Sequence, residues 1–562
     1  MPFKVLTSLL LACVALGQSP SNDSMSVIVR FKQSFKKMGH QSLSRRGAQH
    51  KTELPLIGAS VYEMSVEEYR RLATDPDVEL LAPDMPVTAT AFSGTLDYGW
   101  VTAFNQTQPT GYVNQYKGRG VAVAVIDSGV TPDNDDLEDR VVYAQSFVPG
   151  DNSSQDKFGH GSHVAGIIAG NGSSSTGPSF KYTIRGIAPS ANIVNLRVLD
   201  ENGSGKDSTV IMAIERAIAL KSAYKIGVIN LSLGRRVIMN YANDPLCQAV
   251  EKAWKAGIVV VVAAGNDGRN NAASTSGYGT VSSPGNDPYV ITVGALNTKA
   301  TASRSDDVIT TYSSKGPSIF DHVVKPDLVA AGNRIASLRV DGSTLDNLYD
   351  GNRVVRSSYA IGASHSSGGY FQLSGTSMSA PMVAGAAALM IEQAGFLAPG
   401  QFISPDTIKG RLMKTAARLP LVNYQITVAD TGATYNLQND IFTVGAGSLD
   451  VAKALGNTDI FPQGQLASSP IVYYDTTTKR FRLGPSPGSV AINGVWGDNG
   501  LWGDTSVWGD NGVWGVNGLW GDSGVWGDGT SVGYNAIWGA NGLWGDSAVT
   551  GESIAISING EN

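Results

Sequence analysis

Short apolar runs that alternate with helical segments constrain the fold of this chain more than any other feature. One run covers residues 121–126 (V-A-V-A-V-I) and ends in Asp127; a second, V-I-N-L-S at residues 228–232, is mostly apolar, and a third covers residues 259–262. A helical segment around Ala249 separates the second run from the third. Strands that are apolar on both faces are typical of parallel sheets covered by helices on both sides. The chain therefore predicts an α/β domain with a doubly wound parallel sheet.

A serine stands where one apolar helix is expected to begin. The segment G-T-S-M-S-A-P, residues 375–381, places Ser377 directly before an apolar stretch, residues 378–394. Pro381 falls in the first helical turn, where its missing N–H costs no hydrogen bond. A serine at such a junction is expected to be exposed, fixed in direction and close to the positive end of a helix. Ser377 is therefore a candidate nucleophile.

Two upstream segments supply partners for this serine. Asp127 follows a predicted buried strand, at the edge of the sheet where α/β proteins carry their chemistry. The segment H-G-S-H-V-A-G, residues 160–166, predicts a helix that opens with His160. A serine hydroxyl becomes a nucleophile when a base takes its proton, and a third group can orient that base. The order along the chain is Asp127, His160, Ser377.

The chain contains four motifs in this order: V-I-D-S-G, H-G-S-H-V-A-G, A-A-G-N (residues 263–266) and G-T-S-M-S-A-P. They follow one another as in the subtilisin-like serine peptidases, and the chain resembles that family. The order differs from that of α/β-hydrolases, in which the serine comes first and the histidine last. The resemblance implies that Asp127 orients His160 and that His160 acts as base and then acid for Ser377. It further implies that Asn266 donates its side-chain amide to the oxyanion.

The second histidine of the H-G-S-H motif, His163, serves as an internal comparison. The catalytic position of the family corresponds to the first histidine, so His163 is expected to be structural. Taken one at a time, each motif has an ordinary reading: a helix cap for the aspartate, a buried core group for the histidine and a tight turn for A-A-G-N. Their joint occurrence in family order favours catalysis.

The resemblance also implies a cleft in which substrate binds as an added strand. One side is expected at residues 229–234 and the other at a glycine-rich turn, with a specificity pocket whose floor lies near Ser282. Small, uncharged walls predict a roomy pocket that prefers large apolar side chains. The residues expected to bind substrate are Ser232, Leu233, Gly234, Ala263, Ala264, Gly265, Gly203 and Gly205.

Two further regions carry open alternatives. The expanded segment 335–375, with Arg353, Arg356 and Tyr359, either shapes the leaving-group side of the cleft or is a plain surface insertion. The acidic cluster around Asp136, which follows Asp127 by nine residues, offers the oxygen ligands that calcium prefers. By family analogy a structural calcium ion is possible, no cofactor is required for the chemistry, and no ligand is assigned.

The chain divides into five predicted segments. Residues 1–17 are typical of a secretory signal peptide, which implies a secreted protein. Residues 18–92 resemble the inhibitory propeptide of the family, 93–456 the peptidase domain and 457–493 a linker, with a repeat at 494–562. The propeptide ends in A-T-A-F, residues 89–92, which matches the expected pocket and predicts self-cleavage after Phe92. The alternative is that this tail is only an interdomain linker.

The final segment repeats approximately V/L-W-G-D-x-G every six residues. Because six is a multiple of two, an extended chain would place each tryptophan on one side, whereas a helix would scatter them. Either a β solenoid or an irregular glycine-rich tail fits. The tryptophans either stack on sugars or another surface, or pack on one another; the repeat units include Trp496, Trp502, Trp508, Trp514, Trp520, Trp526, Trp538 and Trp544.

The net charge of −6 is mild, and charged residues make up only 16% of the chain. Neither nucleic acid nor an anionic membrane is therefore an expected partner. The sequence predicts a secreted, monomeric serine endopeptidase that cuts proteins or peptides and carries its own propeptide as an inhibitor. Two rival functions remain: a surface-binding protein whose tryptophan repeat is the working part, and a peptidase dedicated to one target.

Overall fold

The computed structural model describes residues 24–89, 115–271, 275–299, 301, 303–397, 403–419, 423–428, 432–461, 466–475 and 480–484. The signal peptide expected at residues 1–17, the predicted cut after Phe92 and the repeat at 494–562 lie outside the described residues.

The N-terminal segment forms a small α+β unit. Its four-stranded antiparallel sheet has the order β2-β3-β1-β4. One face of this sheet packs under two helices, and the core between them includes Tyr62 and Leu43. The other face, with Ile28 and Val61, belongs to the core of the large domain. The elements are β1 (Ser24–Phe31), α1 (Lys36–Arg45), β2 (Gln49–Leu54), β3 (Ala59–Ser65), α2 (Val66–Leu72) and β4 (Val78–Pro83).

The large domain is built on an eight-stranded sheet that is parallel except at one edge. Its order is β14-β13-β12-β10-β6-β8-β7, with β15 also paired to β13, and only β14 runs antiparallel. The strands are β6 (Ala122–Asp127), β7 (Val141–Ser146), β8 (Asn192–Arg197), β10 (Ile226–Leu231), β12 (Val259–Ala263), β13 (Ile291–Asn297), β14 (Val308–Ile309) and β15 (Leu328–Ala331). Every residue of β6 and β12 is buried, as the apolar runs predicted.

Two packed pairs of helices cover this sheet: α3 packs against α8, and α4 packs against α5. The α/β class with a parallel sheet is thereby confirmed. The helices of the large domain are α3 (His160–Ala169), α4 (Asp207–Tyr224), α5 (Pro245–Lys255), α6 (Thr344–Leu348), α7 (Arg356–Tyr359), α8 (Thr376–Leu397), α9 (Pro405–Thr415) and α10 (Val451–Gly456). Among the described helices, α8 alone has the length and apolarity of a membrane span, but it is a core helix with 67% of that window buried.

Three short strands stand at the mouth of the domain. β5 (Pro86–Ala89) lies between β9 (Ser204–Lys206) and β11 (Leu233–Gly234) in an antiparallel sheet. The side of the cleft at residues 229–234 is expected from the sequence to be one strand, and this prediction is wrong. β10 ends at Leu231, and Ser232 separates it from β11. The break lets the chain leave the central sheet and form one side of a cleft.

The segment predicted to be a linker at residues 457–493 begins as part of the large domain. Ser469 is fully buried, donates to Oδ1 of Asp327 at 2.5 Å, and accepts a hydrogen bond from Nζ of Lys409 at 2.9 Å. The backbone N–H of Val472 donates to the carbonyl of His322 at 2.9 Å. The linker expectation is therefore wrong for the stretch from Ser469 to Val472, since these contacts attach it to the core.

The remaining strands form an inserted sheet and two hairpins. The inserted sheet, of order β16-β18-β17, covers much of the expanded segment recognised in the sequence. The strands are β16 (Ile335–Leu338), β17 (Arg353–Val355), β18 (Ser367–Leu373), β19 (Asn423–Thr427), β20 (Thr434–Gln438), β21 (Ile471–Asp475) and β22 (Arg480–Gly484).

Candidate active site

The side chains of Asp127 and His160 are held together at the carboxyl edge of the sheet. Asp127 is the last residue of β6, and His160 is the first residue of α3. Nδ1 of His160 lies 2.6 Å from Oδ1 of Asp127, and both side chains are fully buried. A carboxylate bound to Nδ1 fixes the ring and leaves Nε2 as the nitrogen that can take up a proton.

Glycines allow α3 to begin this close to β6. A Cβ atom on Gly161 would lie 2.1 Å from the carbonyl oxygen of Gly129, a distance that no side chain tolerates. Gly159 precedes the helix with a φ of +102°, and a Cβ there would lie 2.5 Å from Oγ of Ser343. The glycines on both sides of His160 are therefore packing requirements of the site.

Asp156 supports this arrangement, and the sequence analysis missed it. Its buried carboxylate accepts hydrogen bonds from the N–H groups of Gly159 and Ser162, each at 2.7 Å, and from Oγ of Ser128 at 2.8 Å. Burial raises its pKa, and these donors oppose that change. An aspartate shortly before a predicted helix is a capping signal, so the sequence carried a hint of this role.

Ser377 lies in the first turn of α8 and is joined to Ser232. Oγ of Ser377 donates to the carbonyl oxygen of Ser232 at 2.9 Å, and Oγ of Ser232 donates to the carbonyl oxygen of Ser377 at 2.9 Å. Among the residues that the structure describes, Nε2 of His160 has no hydrogen-bond partner. The helices that carry His160 and Ser377 pack against each other, but a Ser377–His160 hydrogen bond remains a prediction.

The sequence predicted an exposed Ser377, and this is wrong for the state described. The side chain is fully buried and contacts Ser232, and α8 begins at Thr376, so that Ser377 lies within its first turn. The helix was predicted to begin one residue after the serine, so the prediction erred at the helix boundary, where sequence reasoning is weakest.

Asn266 is bound to Thr376, the residue before Ser377. Its Oδ1 accepts hydrogen bonds from the N–H of Thr376 at 3.0 Å and from Oγ1 of Thr376 at 3.1 Å. The N–H of Gly265 donates to the same hydroxyl at 3.1 Å. Because one end of the side-chain amide is held by Thr376, the nitrogen at its other end points away from Thr376. A role for this nitrogen as donor to a developing oxyanion remains a prediction.

His163, in contrast, lies between two strands of the inserted sheet. Its Nε2 is 3.1 Å from the carbonyl oxygen of Ile335 in β16 and 3.0 Å from that of Phe371 in β18. Burial, together with the nearby His160, lowers its pKa to about 3. A neutral ring whose N–H faces two carbonyls joins strands, and it cannot serve as a base through that nitrogen.

Four of the residues expected to bind substrate lie beside β5: Gly203 and Gly205 on one side, and Leu233 and Gly234 on the other. Thr88 pairs with Ser204 on one side and with Gly234 on the other, while Ala89 pairs with Leu233. The N–H of Ala89 also donates to the carbonyl oxygen of Gly203 at 3.1 Å. The structure thus places a strand of the chain itself in the predicted cleft, and Val87 of that strand is fully buried.

The expected pocket walls are also close together in space, with Ser282 between them. A Cβ atom on Gly265 would lie 2.4 Å from Oγ of Ser282, and one on Gly234 would lie 3.0 Å from its Cβ. The N–H of Ser282 donates to the carbonyl oxygen of Ala264 at 2.9 Å. Ser282 therefore contacts both walls, and the preference of the pocket remains a prediction.

An ion cluster that the sequence analysis did not identify fixes one edge of the cleft. Arg235, which directly follows β11, lies 2.8 Å from Asp207 and 2.7 Å from Asp244, and all three side chains are buried. Burial raises the pKa of Asp207 to about 7, although Arg235 acts in the opposite direction. Arg235 is therefore paired with a carboxylate on both sides. It connects β11 to the first residue of α4 and to Asp244, the residue before α5.

The expanded segment contacts the loop that leads to His160. The N–H groups of Thr344 and Leu345 donate to the carbonyl oxygens of Lys157 and Phe158, each at 3.0 Å. Within the segment, burial opposes ionisation of Asp346, but hydrogen bonds from Arg339 and Arg353 lower its pKa to about 2.

The other two residues singled out in the expanded segment differ in environment. Tyr359 is buried against Phe180, whereas Arg356 is exposed. A role for this segment on the leaving-group side remains a prediction.

Calcium does not fit at Asp136. Oδ1 of Asp136 accepts from the N–H of Ser174 at 2.7 Å and from Oγ of Ser173 at 3.1 Å, and Oδ2 accepts from the hydroxyl of Tyr370 at 2.7 Å. Protein donors thus occupy the oxygens that a calcium ion would need. Within the described ranges, moreover, His, Cys, Asp and Glu side chains form no group of three or more that could hold a metal.

Comparison with known proteins identifies relatives for most of the chain. A family model described as the subtilase family matches residues 118–447. The chain is 39% identical over 289 residues to serine protease AprX of Bacillus subtilis, a match covering 50% of this chain and 60% of AprX. It is 31% identical over 385 residues to subtilisin E of the same species, covering 67% of this chain and 83% of subtilisin E. The chain thus spans less than two thirds of AprX but most of subtilisin E.

A solved structure shares the fold at low sequence identity. Fervidolysin from Fervidobacterium pennivorans, described as a keratinolytic enzyme related to subtilisin, aligns with a TM-score of 0.57 and 19% identity. The alignment covers 78% of this chain and 62% of fervidolysin.

Proposed function

This chain belongs to the subtilase family of serine peptidases, and we propose that it is made as a secreted precursor that processes itself and then cuts other proteins. The family assignment carries serine endopeptidase chemistry. We add to it the roles of individual residues, the self-processing step and secretion. Secretion is supported by the signal peptide expected at residues 1–17 and by the similarity to subtilisin E.

The proposed chemistry assigns one task to each of four side chains. His160 Nε2 takes the proton of Ser377 as Oγ attacks the carbonyl carbon of the scissile bond. Asp127, bound to Nδ1 at 2.6 Å, stabilises the charged ring, and Asn266 donates to the oxygen that becomes negative. His160 then protonates the leaving amine as the C–N bond breaks. Water hydrolyses the acyl-enzyme by the same route and restores Ser377.

The observation that carries the precursor proposal is the position of β5. It forms antiparallel pairs with β9 on one side and β11 on the other, as a bound peptide strand would. A segment that occupies the cleft as an added strand excludes other peptides. The α+β unit that bears β5 is therefore assigned as the inhibitor of the same chain.

Contacts behind the cleft support this assignment. Oδ1 of Asp84 accepts from the N–H of Ser208 at 2.9 Å, and Oδ2 accepts from its hydroxyl at 2.8 Å. The N–H of Asp207 donates to the carbonyl oxygen of Met85 at 2.9 Å. A carboxylate at the start of α4 satisfies helix N–H groups and interacts favourably with the helix dipole. Asp84 thus anchors the chain immediately before β5.

The leading alternative is a surface-binding protein in which the tryptophan repeat is the working part, with exposed tryptophans on a carbohydrate or another surface. A peptidase dedicated to one target is the other. Profiling of cut sites in a denatured proteome separates a general peptidase from a dedicated one, and binding of the purified protein to insoluble polysaccharide tests the surface role.

The direct test of the proposed function compares wild type with the Ser377→Ala variant on a casein substrate. Wild type is expected to release peptides and the variant to release none. Equal activity in both preparations, with contaminating peptidases excluded by inhibitors of the other classes, would overturn the proposed role of Ser377.

A further inference from the structure

We propose that this peptidase takes a small residue in its primary pocket and that its own first cut is the Thr90–Ala91 bond rather than the bond after Phe92. The inference rests on the proposed function, since it concerns the substrate that the same site accepts. Three independent observations on described residues support it: the pairing of β5, the anchor at Asp84 and the position of Ser282.

The pairing of β5 fixes which residue meets the nucleophile. Gly234 pairs with Thr88 and Leu233 with Ala89 in an antiparallel register. A substrate residue that continued this register would stand opposite Ser232, and the residue that follows Ala89 in this sequence is Thr90. The carbonyl oxygen of Ser232 is the atom to which Oγ of Ser377 is bound, at 2.9 Å. The residue opposite Ser232 is therefore the residue whose carbonyl Ser377 reaches.

Phe92 cannot take this place in the same register. Its partner would be Asn230, which is fully buried in the central sheet and already paired with Val125 on one side and Val261 on the other. To bring Phe92 opposite Ser232, β5 would have to slip by two residues, a displacement of roughly 6.6 Å.

Two features resist that slip. The carboxylate of Asp84 makes two hydrogen bonds with Ser208, and Met85 accepts one from the N–H of Asp207, so the chain just before β5 is attached to α4. A slip would also move Ala89 into the fully buried place of Val87 and leave a cavity there. The register described is thus the one that the anchor and the packing both favour.

The pocket itself argues for a small residue. Ser282 stands between the walls, with Oγ only 2.4 Å from the place of a Cβ on Gly265 and Cβ 3.0 Å from the place of one on Gly234. The N–H of Ser282 donates to the carbonyl of Ala264, so its backbone cannot withdraw without breaking that hydrogen bond. A threonine fits such a site better than a phenylalanine, in agreement with the register.

The reaction at this bond conserves every atom. Oγ of Ser377 bonds to the carbonyl carbon of Thr90, its proton passes through His160 to the nitrogen of Ala91, and the C–N bond breaks. Water then hydrolyses the ester, which leaves a carboxylate on Thr90 and restores the serine. The substrate class follows from β5: a small residue before the cut, with a β-branched aliphatic residue such as Val87 three positions earlier.

The experiment determines the mature N-terminus of the full chain by intact mass and N-terminal sequencing, for wild type and for variants made in the same host. We expect a mature chain that begins at Ala91 in wild type and in Phe92→Ala. Thr90→Ala should still be processed, and Thr90→Phe should be processed at least about tenfold more slowly. Ser282→Gly, which removes the side chain between the walls, should rescue Thr90→Phe and shift peptide kcat/KM towards phenylalanine before the cut.

A mature chain that begins at Ser93 would overturn this inference. So would a wild type that prefers phenylalanine to threonine before the cut, if Ser282→Gly showed the same preference. Either result would leave the proposed function intact, because Ser377 would still be the nucleophile. If wild type neither processes itself nor cuts any peptide, the proposed function fails instead.

Discussion

Ser377 and Ser232 exchange two hydrogen bonds of 2.9 Å, each hydroxyl donating to the carbonyl oxygen of the other residue. The amide of Asn230 donates to Oγ of Ser232 at 2.9 Å and holds that hydroxyl in place. Ser377 is thereby fixed to the residue that precedes β11, the strand along one side of the predicted cleft. A peptide that pairs with β11 is aligned with Ser377 by backbone geometry alone.

Replacement of Asn266 by alanine is expected to lower kcat by roughly 10²–10³, with little change in KM. The amide acts on an oxyanion that exists only in the transition state, so substrate binding should be unaffected. Steady-state kinetics on a peptide substrate measure both constants. The exposed Asn243→Ala serves as control, and an equal loss in both variants would contradict the assigned role.

Replacement of His163 by glutamine is expected to change the acid sensitivity of the fold. The folded-state pKa of His163 is about 3, below the ordinary value of 6.5, so the unfolded chain takes up this proton first as the pH falls. The contribution of His163 to the free energy of unfolding is fully present above pH 6.5. It decreases between pH 6.5 and pH 3 by about 1.4 kcal/mol per pH unit. His163→Gln should remove this component.

The measurement is urea unfolding across that pH range in the Ser377→Ala chain, which cannot digest itself. His365→Gln, at an exposed position, should leave the pH dependence unchanged. An unaltered pH slope in His163→Gln would show that this histidine is not held neutral in the fold.

Replacement of Asp84 by alanine is expected to destabilise the precursor by about 1–2 kcal/mol. The change removes two hydrogen bonds to Ser208 and the carboxylate at the start of α4. Urea unfolding of the Ser377→Ala chain with and without this change gives the difference. The exposed Glu67→Ala is the control, and an Asp84→Ala chain as stable as the control would remove Asp84 from the proposed anchor.

Deletion of residues 494–562 is expected to leave activity on short peptides unchanged, because Asp127, His160, Ser377 and Asn266 all lie far upstream in the chain. Peptide hydrolysis by the truncated and full chains provides the comparison. A complete loss of activity with a folded truncated chain would mean that the repeat belongs to the catalytic unit.

The sequence predicted those parts of the fold that depend on local pattern. The wholly apolar runs gave β6 and β12 within a residue of their ends, and the four motifs located every residue of the proposed mechanism. These features can be predicted because each restricts the residue types at adjacent positions. Burial on both faces restricts the strands, and a required backbone conformation restricts the motifs.

Contacts between distant segments were beyond the same reasoning. The packing of Ser469 against Asp327, the shared position of Arg235 between Asp207 and Asp244, and the break at Ser232 all depend on tertiary neighbours. Ser282 was expected near the floor of the pocket, but its contacts with both walls likewise depend on tertiary neighbours.

The central claim, that Ser377 makes the first cut in its own chain, is tested most directly by the intact mass of purified wild type and of Ser377→Ala from a host without other active peptidases. We expect a wild type shortened at the end of β5 and a variant in which the segment from residue 24 remains joined to the large domain. A variant processed at the same bond and to the same extent as wild type would contradict it.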